Sequence, residues 1–237
     1  MRYVLYEEAG TSAVRFPNGI RDCDEMGSPR PDRRGMRLAD FVSHPNSIMA
    51  GLTEAHIAAL RLYTTAAFRA LNEPLRDRKR VDPHPFPVTI ACIAEGIKRL
   101  RAVSAGAKSG DDVGRRKLRR GGTAKAETTE LWRGLKDVTL DPEFELHGGT
   151  EFAPMSTTTS LSVALCYSAS TNAAVLLRLL TTSFMQRGAD LSYLSAFPDE
   201  AEVLFPPLTF LQVEASYEVD VGGQRWTVVD AVPHLGS

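Results

Sequence analysis

Three short segments of this 237-residue chain carry residues that could act together on a polar ligand. The first is ELWRGL at 130–135, with Arg133 inside an apolar run and Gly134 directly after it. Burying a guanidinium is costly unless an anionic group meets it. Its planar fork matches a phosphate or carboxylate, and a glycine beside it lets a ligand approach the backbone. The second segment runs from Thr150 into the hydroxyl cluster Ser156, Thr157, Thr158 and Thr159, ahead of a short helix predicted over 160–169. A hydroxyl at a strand-to-helix junction is first of all an N-cap. One cap is enough, which leaves the others available to a polar ligand. The third is Glu200-Ala-Glu202, leading into Val-Leu-Phe-Pro-Pro. Glu202 opens a strand and Glu200 belongs to the loop before it. If that strand edges a cleft, Glu202 faces inward while Glu200 projects from the loop toward the cleft mouth. Each segment alone has a plainer reading: a strand-end arginine paired with an acid, spare caps, or a charged edge. Glu143-Phe-Glu145 repeats the glutamate spacing elsewhere, so spacing by itself selects nothing.

The elements that must position these residues follow from periodicity. Thr53 is an N-cap candidate, and Ile57, Leu60, Tyr63, Ala67 and Leu71 recur at helical spacing, so a helix is predicted over 53–72 with Pro74 closing it. A second helix over 88–103 carries a broad apolar face, and His84, between two prolines, reads as a linker residue. Residues 1–50 are rich in Gly, Pro, Asp and Arg and read as an irregular arm. Residues 104–123 combine glycines with Arg115, Arg116, Lys117, Arg119 and Arg120. With no interleaved aromatics, that stretch reads as a solvated mobile loop rather than a nucleic-acid contact. After residue 127 the period shortens. Strands are expected over 129–133, 150–155, 173–180, 202–205, 208–221 with an interruption, and 224–232, the last two as a hairpin turning at Gly222-Gly223. Helices followed by strands imply an α+β domain over 51–237: helices in 52–103, the basic loop, then a sheet in 127–233.

Bulk properties exclude several classes. A formal net charge of −1 gives no global field that would draw DNA or an anionic membrane. Cys23, Cys92 and Cys166 are too sparse for a zinc site or a disulfide framework, and Cys92 and Cys166 read as small buried hydrophobes. No metal-binding cluster is visible. The start lacks a signal-peptide pattern, and the longest apolar run, at 173–180, contains Arg178 and is too short for a bilayer. A soluble, cytoplasmic protein is the expectation.

Taken in order, an arginine-glycine strand, a Ser-Thr-rich strand end and an aromatic-x-x-Glu-x-Glu segment resemble the Arg–Ser–Glu-x-Glu class of mono-ADP-ribosyltransferases. Arg133 matches the motif arginine, Ser156-Thr157-Thr158 the Ser-Thr-Ser run, Glu200 and Glu202 the two glutamates, and Phe197 the aromatic of the acceptor-presenting loop. Thr158 departs from the usual second serine. The resemblance implies a split, mostly antiparallel sheet around an NAD cleft, with helices before it. It implies NAD as co-substrate, no metal, and a protein acceptor, most simply arginine. By the same resemblance, Glu202 stabilises the charged ribose and hydrogen-bonds its 2′-hydroxyl. Arg133 holds phosphate or ribose, the Gly134 backbone grips the nicotinamide amide, and Ser156 orients ribose and glutamate. Glu200 with Phe197 would receive the acceptor. An NAD glycohydrolase and a non-catalytic module of the same fold are the alternatives.

Overall fold

Capping and buried periodicity set the helical part. The computed structural model describes residues 36–116, 128–168, 174–221 and 223–236. Helix α1 (Leu38–Val42) buries Leu38 and Phe41. Helix α2 (Pro45–Met49) begins on a proline, whose fixed φ suits the first helical position, and the His44 ring accepts from the Asn46 N–H. The expected irregular arm is therefore helical in its last part; what precedes residue 36 lies outside the described residues. Helix α3 (Glu54–Tyr63) starts on the predicted cap, Thr53, and buries Ile57, Leu60 and Tyr63.

The single helix expected over 53–72 breaks after Tyr63. Thr64 and Thr65 donate their hydroxyls back to the carbonyls of Arg61 and Leu62, a local bond that competes with the helical ladder. The chain resumes as α4 (Phe68–Arg76), which runs past Pro74 instead of stopping there. Its last turn is tied down by a two-pronged pair from Arg76 to Glu151, at 2.9 and 2.8 Å. Helix α5 (Pro87–Arg116) also opens on a proline and buries Ile93, Ile97 and Leu100. It continues to Arg116, so the loop expected from residue 104 is helical over its first part, where alanines and long basic residues favour helix despite the glycines. The rest of that basic stretch, from residue 117, lies outside the described residues.

The strands are β1 (Thr129–Lys136), β2 (Gly149–Glu151), β3 (Met155–Thr158), β4 (Ala174–Thr181), β5 (Ala189–Asp190), β6 (Glu202–Phe205), β7 (Thr209–Val221) and β8 (Gln224–His234). Helix α6 (Pro142–His147) precedes β2, and α7 (Leu161–Ser168) follows β3. The expected strand over 150–155 is two strands, interrupted around Pro154, which has no N–H to give a ladder. β5 was not expected. The terminal hairpin is present, and its interruption is a register shift between Val213 and Ala215.

All eight strands form one sheet in the order β2-β7-β8-β4-β1-β3-β6-β5. Among the described strands only β4 and β8 run parallel, and Arg178 and Asp230, opposite each other in that pair, form a two-pronged ion pair. β1 and β4 are in register over their whole length, from Thr129–Thr181 to Lys136–Ala174. β1 and β3, by contrast, are in register at one pair, Trp132 with Thr158. The sheet therefore forks beside Arg133. One core joins β1, β4, β7 and β8 to the far ends of β3 and β6 through Met155 and Phe205. Another packs α1, α3, α4 and α5 against Ala189, Leu191, Leu194 and Leu204, the chain that leads to and from the Glu-x-Glu segment. No helix among the described residues is long and apolar enough to cross a membrane.

Helix α7 lies directly on β1, and Gly134 is the contact. A Cβ built there would stand 2.0 Å from the Ala164 carbonyl oxygen and 2.7 Å from the Ser168 nitrogen, both backbone atoms. Gly134→Ala should therefore lower unfolding stability in urea by about 3 kcal/mol, the scale of severe overpacking. Gly236→Ala, where a Cβ meets nothing within 4 Å, should leave it unchanged.

Candidate active site

The fork between β1 and β3 opens into a cavity of about 410 Å³, within the usual size range of small-ligand sites. Arg133 and Gly134 from β1, Ser156, Thr157 and Thr158 from β3, and Phe197, Glu200 and Glu202 from the loop and start of β6 all line it. All three sequence segments thus meet in one place. The decoy pair does not: Glu143 and Glu145 are exposed on α6.

Arg133 follows the last paired residue of the fork and reaches across it. Its Nη1 donates to the Ser156 carbonyl at 2.6 Å, bridging the strands where their ladder stops. Burial pushes its pKa down, against the opposing pull of Tyr63, Glu151 and Glu202; an arginine remains charged regardless. The hydroxyls of β3 divide their work. Thr157 donates to the Val203 carbonyl at 2.8 Å, and Thr158 to the Glu200 carbonyl at 2.6 Å. Thr158 also accepts from the Ser160 N–H at 2.9 Å. Its hydroxyl therefore fixes the loop and the entry to α7, whereas the Ser156 hydroxyl bonds the Glu202 carboxylate.

The glutamates are presented by a tight turn. Pro198–Glu200 form one 3-10 turn, and Ala201 then adopts a left-handed conformation with φ 46°. That conformation costs an L-residue about 1 kcal/mol or more and reverses the chain just before β6. Glu202 lies opposite Thr158 in the β3–β6 ladder and is only 6% exposed. Burial raises its pKa to about 7; the Ser156 hydrogen bond lowers it, the nearby Glu200 charge raises it, and Ser195 and Arg133 lower it. Ser195 donates to Glu202 Oε2 across a long 3.4 Å. Glu200 is only partly buried. Burial raises its pKa too, opposed by a 2.6 Å hydrogen bond from the Tyr167 hydroxyl to Oε1.

The helical part clamps both sides of the cleft. Arg61, fully buried, donates to the Leu194 carbonyl at 2.6 Å and lies 4.2 Å from the centre of the Phe41 ring. The Thr64 hydroxyl accepts from the Ala196 N–H at 3.0 Å. Tyr63 donates to the Pro154 carbonyl at 2.7 Å, and the Asn72 amide donates to the Tyr63 oxygen at 3.1 Å. Sequence reasoning missed Arg61, Ser195 and Tyr167. Arg61 had a signal, since it falls one turn after Ile57 on the apolar face of α3. Ser195 and Tyr167 had none. Cys166, expected to be buried, is exposed: α7 turns Ala164 and Ser168 toward the sheet and Cys166 away from it.

Neither a protein-family model nor a curated protein matches the sequence. Solved structures do match. Plx2a, an ADP-ribosyltransferase toxin from Paenibacillus larvae, is 16% identical and superposes with a TM-score of 0.56 over 83% of this chain and 94% of its own. The ADP-ribosyltransferase HopU1 of Pseudomonas syringae pv. tomato is 18% identical, with a TM-score of 0.55 over 85% of this chain and 90% of its own. This chain has the ADP-ribosyltransferase fold. A third structure of that fold, exoenzyme S of Pseudomonas aeruginosa with a human 14-3-3 protein, holds carba-NAD; it is 17% identical, with a TM-score of 0.50 over 81% of this chain and 86% of its own. At such identities the likeness lies in the backbone; within that fold Arg133, Ser156 and Glu202 line one cavity.

The raised Glu202 pKa has a consequence for stability. Its folded value, about 7, exceeds the ordinary 4.5, so between those values the folded state holds a proton that the unfolded state has lost. Stability from this group is fully present below pH 4.5 and is lost as pH rises through 7. The loss is on the order of 3 kcal/mol at 1.36 kcal/mol per unit. Urea unfolding of the wild type and Glu202→Gln from pH 4 to 8 should show the variant gaining on the wild type across that window. Parallel curves would mean that Glu202 titrates normally.

Proposed function

We propose that this protein transfers ADP-ribose from NAD to a protein side chain, an arginine, and releases nicotinamide. The observation that carries the reading is the meeting of Arg133, Ser156 and Glu202 in one cavity of a chain with the ADP-ribosyltransferase fold.

The chemistry asks for these groups. The bond between the nicotinamide nitrogen and ribose C1′ breaks, its electron pair leaves with nicotinamide, and positive charge spreads over C1′ and the ring oxygen. This oxocarbenium-like state is the kind that glycosidases also stabilise with carboxylates. A buried carboxylate placed beside the developing charge is worth more there than in water. Glu202 supplies it and accepts a hydrogen bond from the ribose 2′-hydroxyl, while Ser156 orients both. Arg133, charged and set in the fork, receives the phosphates or ribose. The Gly134 backbone, on the same wall, takes the nicotinamide amide; the side chain it lacks would collide with α7. The pyridinium of NAD is itself cationic, so its arrival favours the ionised form of Glu202.

Transfer then needs a nucleophile. A guanidinium is poor while protonated, so its nitrogen must be held and its proton taken as the new bond to C1′ forms. We assign both tasks to Glu200 and the stacking of the planar group to Phe197; in support, both side chains line the same cavity.

Mixing the protein with NAD, with and without agmatine, and following nicotinamide and ADP-ribosyl-agmatine should show release in both cases and transfer with agmatine present. No nicotinamide release under either condition would overturn the reading. Glu202→Gln, folded normally, should lose at least about a hundredfold in nicotinamide release. Glu200→Gln should still release nicotinamide to water while transferring little ADP-ribose to agmatine. Arg133→Lys should weaken NAD binding in calorimetry, because lysine lacks the two-pronged planar contact.

A further inference from the structure

We propose that Tyr167 is a positioning residue for acceptor binding: its hydroxyl holds the Glu200 carboxylate in the orientation from which Glu200 meets a cationic side chain. The inference rests on the transferase reading above and adds to it a residue that no part of the sequence motif contains.

The geometry singles out this side chain. Tyr167 is 57% exposed, so its ring adds little to the core, yet it lines the cavity and its hydroxyl makes a 2.6 Å bond to Glu200 Oε1. It stands on a rigid mount. Helix α7 touches β1 backbone to backbone at Gly134, and Ser168, at its last turn, accepts from the Trp226 indole at 3.0 Å. A glutamate side chain turning about several bonds is thereby tied to a fixed point, while Thr158 ties its carbonyl from the other side at 2.6 Å. Backbone and carboxylate of Glu200 are thus held separately, by β3 and by α7. Each oxygen of an ionised carboxylate has two lone pairs, so Oε1 can accept from Tyr167 and still meet a guanidinium.

The hydrogen bond also favours the charged form. Burial raises the Glu200 pKa and Tyr167 lowers it. Tyr167 stays a donor, since burial and the adjacent Glu200 raise its own pKa. The other titratable or charged side chains lining the cavity are Tyr63, Arg69, Arg133 and Glu202.

A double-mutant cycle on the full chain tests the proposal, with wild type, Tyr167→Phe, Glu200→Gln and the double variant assayed with NAD and agmatine. Tyr167→Phe should raise the KM for agmatine roughly tenfold, the scale of one charge-assisted hydrogen bond. It should also move the acid limb of kcat/KM for agmatine to higher pH. In the Glu200→Gln background the same change should have no further effect. An equal loss in both backgrounds would overturn the proposal. A parent protein that ignores agmatine would count against the arginine reading instead. The Tyr167 assignment is then decided by carbon-13 NMR titration of the Glu200 carboxyl: its midpoint should rise in Tyr167→Phe, and an unmoved midpoint overturns it.

Discussion

A carboxylate buried at the point where a β-sheet divides is the constraint around which this molecule is arranged. Water is a far better host for a charged glutamate than the interior of a sheet, and Glu202 has little water. The fork between β1 and β3 answers this by setting Arg133 and Ser156 beside the carboxyl, and the loop between β5 and β6 adds Ser195. These partners do not restore its ordinary acidity, since burial and Glu200 still lift the pKa to about 7. The site is thus poised between a neutral acid and an anion at neutral pH, where an arriving cation tips the balance. A continuous ladder between β1 and β3 would close the cavity, and a wider gap would leave Arg133 without the carbonyl it bridges to.

The helical part explains how so strained a place persists. The left-handed Ala201 and the two glutamates sit on a turn that gains little stability of its own. The cost is offset by the apolar packing of Leu191, Leu194 and Leu204 on α1, α3, α4 and α5, and by the bond from buried Arg61 to the Leu194 carbonyl. Thr64 and Tyr63, where α3 gives way to α4, hold the loop before the turn and the start of β3 respectively. The hydroxyls that end helix α3 therefore also help to align the cleft.

How much of this was legible in the sequence depended on range. Local patterns read well: the Thr53 cap, the apolar strands holding Arg133 and Glu202, and the turn of the terminal hairpin each rest on neighbours in the chain. The three segments led to the cavity only through their order and the family resemblance it carries, since each alone had a plainer reading. What failed needed tertiary contacts. Nothing local shows that Thr64 and Thr65 bend back to end a helix, that the Arg76–Glu151 pair carries α4 past Pro74, or that a strand as short as β5 pairs at all. Tyr167 was invisible because its partner lies a long way off in sequence. Thr158 stood out only as a departure from the usual serine; its hydroxyl secures the backbone of Glu200.

The most direct measurement is the titration of the Glu202 carboxyl itself, by carbon-13 NMR, with and without NAD. The midpoint should lie near 7 in the free protein and move clearly downward when NAD brings its cationic ring into the fork. A midpoint near 4.5 that NAD leaves unchanged would place Glu202 outside both the burial and the chemistry assigned to it.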